Sequence, residues 1–397
     1  HGGNPLIVDR SVCLNDAQIL SLFCDKRSFR VFARRFVSVP DFDIVERAAC
    51  STEYLARRFP EGSVIQRGIS SGGEGTFVVY PCDNLPEALD EPNEQLLVSR
   101  LYAENVPINV HAVVYERAIV LFPASTQLIE QRDRKLLYCG CDYISFADLS
   151  KCIRDDFYQQ ARVLCEAIRD EGYRGILGLD AMVSNGKVLF LEMNARFQAS
   201  SHALNLALHD AGLPTLHALH RESFLRAQPS VSITTLETVV VRYSTFAYSS
   251  RGSKQLDSPL EHVWHVARHT DDVLVFDNGL DLSQPRRPGA CLFSIVIRVR
   301  VSSIYFDRLL NVDQNISCWG PSIPIDNLDD EPTWMRLKIA PLNQGCTITP
   351  EALQYMEHAG GAREGVNDAI DLEVAGRVVN VPVHALHQEF SPFSIDH

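Results

Sequence analysis

Residues 175–198 carry the clearest pattern in the sequence: Gly-Ile-Leu-Gly-Leu-Asp-Ala-Met-Val-Ser-Asn-Gly-Lys-Val-Leu-Phe-Leu-Glu-Met-Asn-Ala-Arg-Phe-Gln. Apolar and β-branched residues on both sides of Ser-Asn-Gly predict two antiparallel strands. We expect a three-residue loop at 184–186, because glycine in its third position supplies the left-handed backbone that such loops need. Residue 180 would then oppose residue 190, which makes Asp180 and Glu192 diagonal neighbours on one face.

Acidic side chains inside these apolar strands indicate a metal site. Burial of an isolated carboxylate is costly, so Asp180 and Glu192 each need a partner or a cation. Asn194 shares the face of Glu192, and two carboxylates with an amide oxygen suit Mg²⁺, with waters and phosphates as its other ligands. A surface hairpin with solvated acids is the alternative, but the apolar residues on both faces favour burial. Arg196 is expected to pair with a phosphate or a substrate carboxylate.

A glycine-rich segment lies between two predicted strands, at residues 63–67 and 76–80. Its backbone N–H and side-chain O–H groups could fold over a polyphosphate. The residues concerned are Gly68, Ser70, Ser71, Gly72, Gly73, Gly75 and Thr76. A P-loop or a dinucleotide fingerprint would run from a strand into a helix, whereas a strand follows here. We therefore predict a flap that closes over a nucleotide, and a hairpin loop without a ligand is the alternative.

Hydrophobic periodicity predicts the other elements and a boundary near residues 227–230. Helical patterns cover residues 16–59, with a break at Val39-Pro40, and residues 155–171, 204–226 and 350–358. Strand patterns cover residues 95–101, 108–122, 235–243 and 292–301.

Composition excludes some classes of function. The chain has 397 residues, of which 46% are hydrophobic, and a formal net charge of −13. This acidic balance argues against binding to nucleic acid or to a membrane surface, because both need a basic footprint. No apolar run reaches the roughly 20 residues of a spanning helix, and the N-terminus lacks a signal-peptide pattern. The 11 cysteines are scattered without a Cys-x-x-Cys pair, so we expect reduced thiols in a cytoplasmic protein.

The order of these motifs resembles the ATP-grasp superfamily. Its members include D-alanine–D-alanine ligases, biotin carboxylases and many amino-acid ligases, and the similarity covers roughly residues 14–226. The resemblance implies an α+β fold in which two α/β subdomains clasp ATP. It also implies Mg²⁺, with Mn²⁺ as an alternative, on three ligands: Asp180, Glu192 and Asn194.

The resemblance further implies which residues meet the nucleotide. Lys26, which opens a helix after Asp25, would neutralise phosphate charge and act in catalysis together with Arg196. Gln66 stands where the family usually has a second lysine. A hinge strand that cups adenine corresponds to residues 97–102. The implied nucleotide contacts are Lys26, Gln66, Gly68, Ser70, Ser71, Gly72, Gly73, Gly75, Thr76, Ser99, Arg100 and Leu101.

A narrower resemblance is to the peptide ligases of bacterial secondary metabolism, such as the pheganomycin type. Residues 66–68, 75–77 and 138–143 carry it. These enzymes usually open with a βαβ domain, whereas only a short stretch precedes Leu14, so we expect that domain to be truncated or absent. The predicted segments are an N-terminal remnant at 1–15, a small ATP-grasp subdomain with the lysine helix and the flap at 16–97, a large subdomain with the metal hairpin at 98–226, and an additional mixed α/β C-terminal domain at 227–397.

The C-terminal segment is expected to complete the acyl or acceptor pocket. Three of its histidines, His262, His265 and His269, could line one helix face. They are interpreted as surface or core histidines rather than as a zinc site, because no clear further ligand or cysteine is near.

Together these patterns predict an ATP-dependent carboxylate–amine ligase. It would activate a carboxylate as an acyl phosphate, pass the acyl group to an amine and release ADP and phosphate. The expected partners are small-molecule carboxylate and amine or peptide substrates, without nucleic acid or membrane, and a homo-oligomer is compatible with this prediction. The alternatives are a ligase that loads an amino acid onto a carrier protein and a nucleotide-binding subunit without catalysis.

Overall fold

The chain folds into two units, which a computed structural model describes for part of their length. The first comprises His1–Tyr138, Leu149–Ser201 and Gly212–Val240, and the second comprises Cys139–Asp148, His202–Ala211 and Val241–His397. The described residues are 6–7, 13–70, 75–86, 89, 93–132, 134–249, 273–277, 291–297, 369–374 and 377–382. The segment boundaries expected after residues 15, 97 and 226 remain predictions.

Helices and strands alternate irregularly along the chain. The helices are α1 Ala17–Cys24, α2 Lys26–Ala33, α3 Thr52–Arg58, α4 Lys151–Asp170, α5 Ser201–Asp210, α6 Leu216–Leu225 and α7 Ile233–Glu237. The strands are β1 Leu6–Ile7, β2 Cys13–Leu14, β3 Phe42–Glu46, β4 Ser63–Arg67, β5 Thr76–Val79, β6 Gln95–Arg100, β7 Val106–Val114, β8 Ile119–Leu121, β9 Ser125–Arg132, β10 Lys135–Asp142, β11 Gly175–Ser184, β12 Lys187–Asn194, β13 Ser244–Ser249, β14 Val273–Asp277, β15 Cys291–Ile297, β16 Ala369–Val374 and β17 Arg377–Pro382.

The first unit is built on a sheet in the strand order β12–β11–β7–β9–β10–β5–β4–β6–β3, with β8 beside β7. Helices α1, α2 and α4 pack against β12. Phe23 of α1 meets Phe32 of α2 edge to face, with ring centroids 5.2 Å apart. Phe157 of α4 stacks on Phe190 of β12 at 5.7 Å. These contacts hold α1 against α2 and hold α4 against the strand that carries Glu192.

The predicted hairpin is present, but its loop is one residue shorter than expected. Ser184 pairs with Lys187, so the turn holds two residues, Asn185 and Gly186, at φ 49° and 71°. Two positive φ values are typical of the tight type I′ turn, which asparagine followed by glycine favours. The prediction of a three-residue loop at 184–186 is therefore wrong.

A β-bulge restores the alignment of the two acids that the shorter turn would have broken. Asp180 pairs with Glu192, whereas the next residue, Ala181, pairs with Phe190, which leaves Leu191 as the extra residue. Such a bulge changes the register by one position on one strand only. As a result, Asp180 and Glu192 lie directly opposite each other rather than as the diagonal neighbours that the sequence suggested.

Arg30 of α2 satisfies the backbone that the bulge exposes. Its Nε and Nη2 donate to the carbonyl oxygen of Leu191 at 3.1 and 2.8 Å. Its Nη1 donates to Ser99 Oγ at 3.4 Å. The Arg30 side chain is only 1% exposed, and burial lowers the pKa of its guanidinium to about 10, so it stays charged at neutral pH.

We expect Arg30→Met to lower the free energy of unfolding by about 2–4 kcal/mol, because the buried guanidinium is lost and the part-buried Leu191 carbonyl loses both of its N–H donors. Chemical denaturation followed by circular dichroism measures the change. Arg57→Met is the matched control: Arg57 is exposed at the end of α3, and its loss should change stability by at most about 0.5 kcal/mol. Equal effects of the two substitutions would contradict the role given to Arg30.

The helical pattern predicted over residues 16–59, with its break at Val39-Pro40, is interrupted more widely than expected. Asp16, Asp25 and Ser51 each accept backbone N–H bonds at the start of a helix, so the segment contains α1, α2 and α3. Strand β3 separates α2 from α3 and pairs with β6, with Ile44 opposite Leu97. Pairing with a strand so distant in sequence outweighs local helical periodicity.

Other elements differ from the sequence prediction in smaller ways. Residues 108–122 form two strands, β7 and β8, and residues 204–226 form the later part of α5 and then α6, with Gly212 at φ 66° between them. The strand predicted at 235–243 is wrong, because α7 covers its start and Leu236 is buried. Strands β9 and β10 had no counterpart in the prediction. The helix expected at 350–358 lies outside the described residues, as do His262, His265 and His269.

The second unit contains a short antiparallel ladder. The end of β10 pairs with β13, which pairs with β15, and β15 also pairs with β14. Tyr243 donates its hydroxyl to Asp210 Oδ2 at 2.5 Å, which ties α5 to the residue before β13. Among the described helices of the chain, none has both the length and the apolar character for a membrane crossing.

Candidate functional site

Asp180 lies at the centre of a polar face on the sheet of the first unit. Its carboxylate is 9% exposed, and among the described residues four side-chain amides donate to it. Asn109, Gln127 and Gln198 donate to Oδ1 at 2.7, 2.9 and 3.3 Å, and Asn194 donates to Oδ2 at 2.8 Å. A carboxylate only accepts, so each amide must turn its NH₂ group towards Asp180.

Strand register brings these groups together. Asp180 on β11 lies opposite Asn109 on β7 and opposite Glu192 on β12. Asn109 in turn lies opposite Ser125 on β9, the strand that also carries Gln127. Residues opposite each other on neighbouring strands lie on the same face, so polar side chains from four strands lie together on one face of the sheet.

Burial and a neighbouring acid raise the pKa of the Asp180 carboxyl. Desolvation, together with the charge of Glu192, raises the pKa of Asp180 to about 6, while the hydrogen bonds from Asn109 and Gln198 act in the opposite direction. The carboxyl therefore takes up a proton more readily than an exposed aspartate, and a cation would favour its ionised form.

We expect the affinity for Mn²⁺ in the presence of ADP to rise from about pH 5 and to level off above about pH 6. Below the raised pKa of Asp180 a proton competes with the metal, and each pH unit there should weaken binding by up to about tenfold. Paramagnetic titration at several pH values measures this. Asp180→Asn should bind Mn²⁺ weakly, with a shallower pH dependence, and constant wild-type affinity from about pH 5 to about pH 7 would contradict the assignment.

Lys26 connects Glu192 to the glycine-rich segment. It is the first residue of α2, and its side chain is 9% exposed. Its Nζ lies 3.3 Å from Glu192 Oε2 and donates to the carbonyl oxygen of Ser70 at 2.6 Å. Asp25 caps the helix by accepting from the backbone N–H groups of Arg27 and Ser28, which holds Lys26 at the helix start. A lysine here can offset negative charge on a bound phosphate.

The described part of the flap is held at its base. Lys26 N donates to the Gly68 carbonyl at 2.8 Å, and Gln66 Nε2 donates to Thr76 Oγ1 at 3.3 Å. A Cβ added at Gly75 would come within 2.7 Å of the Ser70 side chain, so close packing inside the flap requires a glycine there. Residues Ser71, Gly72 and Gly73 lie outside the described part of the chain.

Arg196 and the hinge residues occupy different positions. Arg196 is exposed, and its Nη1 donates to the Phe197 carbonyl at 3.1 Å. Ser99 reaches the site through its contact with Arg30. Arg100 instead pairs with Glu61 at the surface, and Leu101 N donates to the Gly62 carbonyl at 3.0 Å. The side chain of Arg100 is thus engaged away from the two acids, and the nucleotide roles of these residues remain predictions.

Sequence reasoning identified Asn194 but missed the other three amides that donate to Asp180, which belong to Asn109, Gln127 and Gln198. Asn109 and His111 are polar residues in an otherwise apolar strand, which was the available signal. His111 is fully buried, and its Nε2 lies 2.8 Å from Ser201 Oγ. Burial lowers the pKa of His111 to about 3, so its ring is neutral at physiological pH. Among the described residues, its Nδ1 has no hydrogen-bond partner.

The described residues contain no cluster of three or more His, Cys, Asp or Glu side chains that could hold a metal. A cation at Asp180 and Glu192 would therefore need other ligands, and the amide oxygen of Asn194 is available for this. Its NH₂ group faces Asp180, which leaves its oxygen to point elsewhere. Hard oxygen ligands of this kind, with water and phosphate, suit Mg²⁺ or Mn²⁺.

Comparisons with known proteins give a domain family and a fold. Residues 25–200 match the family described as an ATP-grasp domain. No curated protein matches the sequence. The carboxyaminoimidazole ribonucleotide synthase of Aspergillus clavatus, solved with ATP, has a TM-score of 0.57 at 14% identity, over 72% of this chain and 71% of that chain.

Two further solved structures have the same fold. The ADP complex of PurK, an N5-carboxyaminoimidazole ribonucleotide synthetase, has a TM-score of 0.54 at 13% identity, over 71% of this chain and 68% of that chain. The synthetase of that name from Thermus thermophilus has a TM-score of 0.50 at 16% identity, over 71% and 69%. At such identities the likeness shows the fold, and the narrower resemblance to pheganomycin-type ligases stays a prediction. Residues 25–200, which include Lys26, Asp180, Glu192 and Asn194, are therefore the part of the chain that is similar to an ATP-grasp domain.

Proposed function

We propose that this chain is an ATP-dependent carboxylate–amine ligase that forms an amide through an acyl phosphate and releases ADP and phosphate. One observation carries the proposal. Asp180 and Glu192 face each other across the bulged hairpin, and Lys26 bridges Glu192 and Ser70 of the glycine-rich segment. Two acids for a cation and a lysine beside a potential phosphate loop are what γ-phosphoryl transfer requires.

The residues fit a divalent cation. Asp180, Glu192 and the amide oxygen of Asn194 would hold Mg²⁺ or Mn²⁺, which when bound offsets charge on the phosphates of ATP. The solved relatives support a nucleotide at this fold, since two of them were solved with ATP and with ADP. The biotin carboxylase domain of a Hydrogenobacter thermophilus 2-oxoglutarate carboxylase, at a TM-score of 0.50 and 12% identity, was solved with MgADP and bicarbonate.

The other residues of the chain have distinct tasks in this proposal. Lys26 and the flap N–H groups bind and orient the β- and γ-phosphates. Arg196 binds the substrate carboxylate, so that its oxygen can attack the γ-phosphorus in line. The flap excludes water, because an acyl phosphate exposed to water would be hydrolysed before the amine attacks.

We expect ATP to be cleaved to ADP and phosphate, not to AMP and pyrophosphate. The chain is incubated with Mg-ATP and a panel of amino acids and short peptides, and the nucleotides are separated by chromatography. Hydroxylamine added to the active mixture should trap the acyl phosphate as a hydroxamate. Stoichiometric AMP would overturn the mechanism, and tight ATP binding without turnover across the panel would favour a non-catalytic subunit.

A further inference from the structure

Gly178 makes room for the side chain of Gln198. Gly178 on β11 lies between Asn194 on β12 and His111 on β7. A Cβ added there would lie 1.9 Å from Oε1 of Gln198 and 2.1 Å from its Cδ, which is far closer than real atoms approach. The backbone at Gly178 is outside the left-handed region, so a side chain there is opposed by the end of the Gln198 side chain, which would have to move, and not by backbone strain.

Gln198 connects two parts of the site from that position. Its Nε2 donates to Asp180 Oδ1 at 3.3 Å, and its Oε1 accepts from Asn109 Nδ2 at 2.8 Å. Its backbone N–H donates to Ser201 Oγ at 2.9 Å. Gln198 follows Arg196 by two residues, so these bonds attach the segment that carries Arg196 to the buried carboxylate.

The contacts of Gln198 are consistent with one orientation of its amide. The Asn109 amide donates one hydrogen to Asp180 and the other to the amide oxygen of Gln198. The NH₂ group of Gln198 therefore faces Asp180. Ser200 Oγ donates to the remaining oxygen of Asn109 at 3.3 Å. Asn109 and Gln198 each donate and accept in this network, which holds their amides in one arrangement around the carboxylate.

We propose that Gln198, seated in the space left by Gly178, is a positioning residue that orients the Asp180 carboxylate for the metal and links it to the Arg196 segment. The inference rests on the proposed function, because it treats Asp180 as a metal ligand. The absence of a side chain at Gly178 is then needed only while Gln198 occupies that space. Substitution of groups that orient a metal ligand typically weakens metal binding by about 10–100-fold.

The test is a double-mutant cycle on the full chain. Gln198→Ala, Gly178→Ala and the double variant are compared with wild type by paramagnetic titration of Mn²⁺ in the presence of ADP. Two further properties are measured for each variant: the binding of ADP in the absence of metal, and the temperature of thermal unfolding. Gln131→Ala is the matched control, because Gln131 is exposed and bonds only to Tyr80 Oη among the contacts described for it.

We expect both single variants to bind Mn²⁺ about 10–100-fold more weakly, while ADP binding without metal and the unfolding temperature stay close to wild type. The double variant should bind Mn²⁺ no more weakly than Gln198→Ala, because a Cβ at position 178 then meets empty space. The control should match wild type. If Gly178→Ala fails to fold, recovery of folding in the double variant supports the same packing relation.

Three outcomes would count against the inference. Wild-type Mn²⁺ affinity in Gln198→Ala overturns it and leaves the proposed function standing. Additive losses in the double variant show that Gly178 acts independently of Gln198 and overturn the link between them. A wild-type chain that binds no Mn²⁺ in the presence of ADP overturns the proposed function, and the inference with it.

Discussion

Asp180→Asn should lower kcat for ADP release by about 10³-fold or more while the protein remains folded. The substitution keeps the shape of the side chain but removes the negative charge that a cation needs. It also places an NH₂ group in the network. If that group takes the place of Oδ2, it faces the NH₂ of Asn194, and donor against donor forces one amide to turn. Asn194 would then present NH₂ instead of oxygen to the metal.

Steady-state kinetics over a range of Mg²⁺ concentrations measures this effect, and circular dichroism checks the fold. Asp155→Asn is the matched control, since Asp155 is an exposed acid on α4 that pairs with Lys151. We expect the control to keep wild-type turnover. Turnover of Asp180→Asn close to that of wild type at ordinary Mg²⁺ would show that Asp180 is not a metal ligand. Glu192→Gln should behave like Asp180→Asn, because Glu192 is the second acid of the pair.

Lys26→Met should lower kcat by about 10²–10³-fold. The lysine is buried against Glu192 and Ser70, so the variant loses a cation that is already placed beside the acids and the flap. Methionine keeps the length and most of the packing of the lysine stem, so we expect a folded protein. The loss should appear in kcat more than in the affinity for ADP, because charge on the γ-phosphate grows during transfer.

Lys151→Met provides the control for the lysine series. Lys151 is 80% exposed at the start of α4, and its pair with Asp155 lies at the surface. Rates of ADP release and calorimetric ADP binding separate an effect on chemistry from an effect on binding. A Lys26→Met enzyme that turns over like the Lys151→Met control would remove the lysine from the phosphate site. If Lys26→Met lost ADP affinity and kcat equally, the role of Lys26 would be limited to nucleotide binding.

The environment of Asp180 has a consequence for how such a site works. The donors around it are neutral amides, so they hold the carboxylate without supplying the positive charge that would compete with a metal. Burial and Glu192 raise the pKa of the same group to about 6. In the proposed function the amides fix the orientation of the acid and leave its negative charge for a cation, as expected of a preorganised metal site.

The sequence alone determined the chemical inventory of this domain. The acids, Asn194 and a Ser-Asn-Gly loop predicted a hairpin with both carboxylates on one face; the hairpin is present with both acids on one face, although its turn is one residue shorter and a bulge sets the register. The strands on either side of the glycine-rich segment also follow from local composition, since β4 and β5 pair around it. Such features depend on neighbours within a few residues, and side-chain alternation and turn chemistry report them directly.

The tertiary structure decided the register of the acids and the identity of their partners. The sequence favoured a three-residue loop, whereas the chain combines a two-residue turn with a bulge at Leu191. The Leu191 carbonyl in that bulge accepts from Arg30, which is 161 positions away, and the closest amide donor to Asp180, Asn109, is 71 positions away. A local pattern gives the face on which a side chain lies, but a buried carbonyl or carboxylate takes whichever donors the packed strands and helices bring to it.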